Sequence, residues 1–115
     1  MRTDVPTCRL DERVGEVRTR PRAAGWSLAA VVNDDRVVLG LLEREALEGA
    51  GDTRVESVMR PTPVTFRPHH GAGEAAEWMR SRGAEGALVT TSDGVLLGFL
   101  WRDDAERAAA REPAA

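Results

Sequence analysis

The chain has 115 residues, 42% hydrophobic content and a formal net charge of −3, which suits one compact soluble domain or two small lobes sharing a core. The acidic balance, with pI near 5.4, supplies no basic footprint for nucleic acid. A single Cys8 excludes an internal disulfide and fits a reducing compartment; no apolar run reaches membrane-span length, and no apolar signal core opens the chain.

Thr7 to Leu10 alternates weakly and is a candidate first strand. Asp11-Glu12-Arg13-Val14 opens a helix to about Ala24, interrupted by Pro21, which removes a backbone donor. Gly25 ends it. Strands are predicted over Leu28 to Asn33 and Arg36 to Leu42, then a short helix over Glu43 to Glu48. Gly49 to Asp52 is a linker. Thr53-Arg-Val-Glu56 spells a capping box for a helix through Met59. Pro61-Thr-Pro63 then forces extended chain into Val64-Thr-Phe66. Pro68-His-His-Gly71 is a loop. Ala72, Ala75, Ala76 and Met79 share one face of the clearest helix. Ala87 to Thr91 and Val95 to Trp101 flank a Ser-Asp-Gly turn, and Asp103 with Glu106 offers a capping box for the last helix.

The chain is written twice. Residues 29–46 align with residues 87–104 without a gap, at an offset of 58, pairing Val31 with Val89, Asp35 with Asp93, Gly40 with Gly98 and Arg44 with Arg102. The match extends upstream through Thr7/Thr65, Gly15/Gly73 and Gly25/Gly83, and roughly a third of the paired positions are identical. Two copies are too few for a solenoid, so they predict two halves that pack on each other. Each half reads strand, helix, strand, strand, helix.

Val58-Met-Arg-Pro-Thr-Pro-Val-Thr-Phe66, Glu74-Ala-Ala-Glu-Trp-Met79 and Val95-Leu-Leu-Gly-Phe-Leu-Trp-Arg-Asp-Asp104 together resemble a cystathionine β-synthase (CBS) domain, with residues 1–50 a degenerate first copy and residues 51–115 the second. The resemblance implies an α+β fold of two βαββα repeats packed sheet to sheet about a pseudo-twofold axis, a Bateman module that commonly dimerises. It implies a non-catalytic regulatory module for AMP, ADP, ATP or S-adenosylmethionine, reporting to an unknown partner protein. The family signature is Gly, two apolar residues, Thr or Ser, two variable residues, then Asp. In the second copy Gly98 and Asp104 match, with Trp101 at the hydroxyl position; in the first, Glu43 and Ala46 stand at the two functional positions.

The resemblance therefore implies Asp104 as acceptor for both ribose hydroxyls, a task suited to an acceptor-only carboxylate. It places Thr62, Pro63 and Val64 beside the base. Trp101 either stacks on adenine or fills its pocket. Arg102 or Arg60 either supplies phosphate charge or is solvated. Asp104 has a second reading as a first-turn acidic residue. His69-His70 lacks any further metal-ligand spacing, and Cys8 has no fixed partner that would make it a nucleophile. No nucleophile–base pair or glycine-rich phosphate loop argues for an enzyme. The readings are thus a cytoplasmic, bacterial, homodimeric adenosine-ligand sensor without resident cofactor, or an interaction module that binds nothing small. The dimer has its motive in the three Trp and the small-residue helix face around Ala72, Ala75 and Ala76.

Overall fold

The computed structural model describes residues 2–20, 26–61, 65–68 and 71–111. The first copy contributes β1 (Thr7–Cys8), α1 (Val14–Arg18), β2 (Ala29–Val32), β3 (Val38–Leu42) and α2 (Arg44–Leu47). The second contributes β5 (Thr65–Phe66), α4 (Ala72–Arg82), β6 (Gly86–Thr90), β7 (Leu96–Trp101) and α5 (Arg102–Arg111). Between them lie α3 (Val55–Val58) and β4 (Arg60–Pro61). Each copy is the expected strand, helix, strand, strand, helix.

The two sheets repeat one topology. β1 pairs parallel with β2 and β2 antiparallel with β3, as β5 pairs with β6 and β6 with β7. Even the irregularities match: register shifts fall at Val31/Val32 and Val89/Thr90, positions related by the repeat offset. The lead-in segments cross over. Arg60 of β4 pairs with Leu41 on β3, and Arg2 pairs with Phe99 on β7 through backbone bonds of 2.8 and 2.7 Å. The hairpins interlock at the axis, where Val38 N–H donates to Gly94 O (3.0 Å) and Leu96 N–H donates to Arg36 O (2.9 Å). Exchanging the copies maps each of these bonds onto the other.

Alternation along the strands sorts side chains into three apolar layers. Ala29 and Val31 face Cys8, Val14, Val17, Leu42 and Leu47 on the first helical side. Ala30 and Val32 face the other way, against Val5, Leu88, Leu96 and Phe99. Phe66, Ala75, Ala76, Met79, Ala87 and Ala105 form the third layer. The middle layer draws on both sheets, so neither copy covers its own apolar face. Burial of each large side chain there contributes about 1.5–3 kcal/mol.

Several expected boundaries move. Helix α1 covers five residues and ends at a Thr19 cap; Pro21 and Gly25 lie outside the described residues. Thr53 and Glu56 form no capping box, because the start of α3 is held by Val55 N–H on Glu12 O (2.9 Å) and Glu56 N–H on Leu10 O (3.2 Å). Val55 packs into the first copy's core although it follows the linker. Helix α5 starts one residue early, at Arg102, whose N–H reaches Glu85 O at 2.7 Å. The face Ala75, Ala76, Met79 is buried within the chain itself, so it does not supply the dimer surface expected of it. Helix α4 ends at Gly83, whose φ of 65° allows its N–H to turn back to the last carbonyls.

Candidate functional site

The pseudo-twofold relates two positions, each where the last strand of a copy gives way to its helix. On the first copy's side a cleft measures about 1030 Å³. Leu28, Leu41, Leu88 and Phe99 supply its apolar floor; Arg44, Arg60 and Arg82 alternate with Glu43, Glu45 and Glu85 around it. The rim is balanced in charge, and Arg60 Nε already donates to Glu43 Oε1 at 2.9 Å. Trp78 stands at one wall, edge-on to Phe66 at 5.3 Å, with the Arg82 guanidinium 4.7 Å above its ring. Gly86 is required here: a Cβ at this position would meet the Phe99 ring at 2.3 Å.

The side that holds the sequence-predicted residues is built differently. Trp101 stacks on Trp26, with centroids 5.6 Å apart and an interplanar angle of 27°. Phe99 meets both indoles edge-on, at 5.8 Å from Trp26 and 4.7 Å from Trp101. The Arg2 guanidinium lies 5.5 Å from the Trp26 ring centre. It also forks onto Asp4, with contacts of 3.0 and 2.7 Å, and this bond holds the Asp4 carboxyl below its ordinary range. The Arg2 guanidinium is raised in turn, chiefly by Asp4 and to a smaller extent by the charge of Asp104.

Asp104 pairs with Arg107 one turn along α5, and Arg102 lies 3.9 Å from Glu106. The structure therefore brings Trp101, Arg102 and Asp104 to one end of β7, each of the charged pair with an intrahelical partner. Thr62, Pro63 and Val64 lie outside the described residues. Strand β4, which leads into them, runs along β3 on the first copy's side, while the lead-in beside β7 is Arg2.

Sequence reasoning passed over Phe99, Trp78, Arg82 and Glu85 as cleft residues. A signal was present in the alignment of the copies, which pairs Ala84 with Trp26 and Glu43 with Trp101: small or charged on one side, indole on the other. His69 and His70 lie outside the described residues. Among the described residues, no group of three or more His, Cys, Asp or Glu could hold a metal ion, and no helix is long and apolar enough to cross a membrane. Burial pushes the Cys8 thiol up to about 11, the direction opposite to that of a nucleophile.

No family model matches the sequence, and no curated protein matches it. Solved structures do. The cytosolic domain of the Mg2+ channel MgtE in complex with ATP superposes with a TM-score of 0.83 at 26% identity, over 91% of this chain and 45% of that one. The chain thus spans less than half of that channel fragment. CBSX2 in complex with AMP gives 0.81 at 20% identity, over 96% of this chain and 90% of that one. The CBS domains of a transcriptional regulator from Streptococcus pneumoniae give 0.77 at 22% identity, over 89% and 86% of the two chains. The class defined is a pseudo-twofold pair of βαββα repeats closed sheet against sheet. It is the CBS-domain fold.

Proposed function

We propose that this module is a non-catalytic sensor of an adenosine-containing ligand, AMP, ADP, ATP or S-adenosylmethionine, whose occupancy is read by a partner protein. The observation that carries the reading is the open cleft between the copies, with its apolar floor and its three arginines. Its volume is at the upper end of small-molecule sites. The floor of Leu28, Leu41, Leu88 and Phe99 suits a base, and the guanidinium groups of Arg44, Arg82 and, once released from Glu43, Arg60 suit phosphate oxygens. The similarity to structures holding ATP and AMP supports the ligand class.

A second reading, an interaction module that binds nothing small and pairs with a second copy of itself, is favoured by Trp101. It stands where the family signature has a hydroxyl, and it is already stacked on Trp26. Calorimetry with AMP, ATP and S-adenosylmethionine separates the two. At about a hundredfold excess over its dissociation constant a ligand stabilises the fold by about 2.7 kcal/mol, and the melt rises accordingly. Binding weakened by Arg82→Ala supports the open cleft; binding lost only in Asp104→Ala moves the ligand to the other side. No heat and no thermal shift with any of the three leaves the interaction module.

A further inference from the structure

Among the described residues, the strands that border the two clefts repeat one topology while their side chains differ in volume. At one pair of related positions the first has Ala84 and the second Trp26; at another the first has Glu43 and the second Trp101. Ala84 leaves space, and Glu43 turns to Arg60 at the rim. The indoles do the reverse: they stack on each other and against Phe99. The lead-in arginines differ in one contact. Both arginines pair their backbone with the opposite copy and make an exposed ion pair, Arg60 with Glu43 and Arg2 with Asp4, their side chains 67% and 55% exposed. Arg2 additionally lies over an indole ring, that of Trp26.

We infer that Trp26 and Trp101, clamped by Arg2, decide which cleft binds: they fill the second with protein, so that each chain takes one adenosine ligand, in the cleft bordered by Glu43 and Arg82. The inference rests on the adenosine-ligand reading above. A base entering the open cleft displaces water from an apolar floor. A base entering the other has to displace ring contacts the chain already makes with itself. The Arg2 guanidinium adds a cation–π contact to that stack and tethers the N-terminal segment across it. The Asp104 carboxylate, which in the family signature would face ribose, is engaged by Arg107.

Calorimetry with ATP on the wild-type chain and on the Arg2→Ala/Trp101→Thr double variant tests this. The double variant removes the clamp and restores a hydroxyl to the signature. One ATP per wild-type chain and two per folded double variant is the expected result. Two per wild-type chain overturns the inference, as does a folded double variant that still takes one. Absence of heat with both chains removes the adenosine-ligand reading instead, and the filled cleft is then tested without ligand. In Trp78→Phe only Trp26 and Trp101 emit. Weak acrylamide quenching that strengthens on adding Arg2→Ala is expected, and equally strong quenching in both chains overturns the filled cleft.

Discussion

One backbone plan yields an open cleft beside Glu43 and Arg82 and a cleft packed with indole rings beside Asp104. Among the described residues, the difference in volume is carried chiefly by Ala84 and Glu43 against Trp26 and Trp101. Duplication supplies two related places in the fold, and side-chain volume differs between them. The motif carboxylate that family resemblance singles out, Asp104, belongs to the packed side, and the side whose motif has decayed is the one with space.

The comparison is broken most severely at Phe99, which lies under both clefts and is 2% exposed. Phe99→Ala is expected to cost about 3–5 kcal/mol in denaturant unfolding. Its counterpart Leu41, partly buried, is expected to cost less. Next is Trp101→Thr, which removes two ring contacts and is expected to cost about 1–3 kcal/mol. The paired substitution Glu43→Thr removes only an exposed ion pair and is expected to stay within about 0.5 kcal/mol. Equal losses at the two sites would show that the indole stack contributes nothing.

The two hairpin turns sharpen the comparison at smaller scale. Both place a residue at positive φ, Gly94 at 87° in the second copy and Arg36 at 63° in the first. Arg36→Gly therefore relieves a left-handed side chain and is expected to stabilise the fold by about 1 kcal/mol, seen as a raised Tm. Gly94→Ala is expected to destabilise it, since a Cβ there also approaches Val37 Cγ1 at 3.3 Å.

Cys8 gives a pH signature confined to the first copy. Its thiol is raised by burial from 9.0 to about 11, so the unfolded chain loses the proton first. Stability from this group is complete below pH 9 and is lost as pH rises towards 11, at about 1.4 kcal/mol per pH unit. Urea melts across that window should show the slope in wild type and a shallower one in Cys8→Ala.

Architecture was legible because the repeat is contiguous: Val31/Val89, Gly40/Gly98 and the two turns announce one unit written twice. Element ends were less so. The starts of α3 and α5 are set by Glu12, Leu10 and Glu85 carbonyls, tertiary partners that no capping pattern reveals. The site was the least legible part. Motif reading asks whether Asp104 is present, whereas the packing at its end of β7 involves Trp26 and Arg2, which sequence places 78 and 102 residues away. The cross-over pairing of Arg2 with β7 and of Arg60 with β3 joins each lead-in to the opposite copy, so neighbours along the chain belong to different clefts.

A titration of the isotope-labelled chain with ATP, followed through the three indole N–H resonances, tests the unequal clefts most directly. The Trp78 resonance should move with residues 41–46 and 82–88, while those of Trp26 and Trp101 stay in place. Movement of Trp26 and Trp101 with residues 99–104, and a stationary Trp78, would contradict the account.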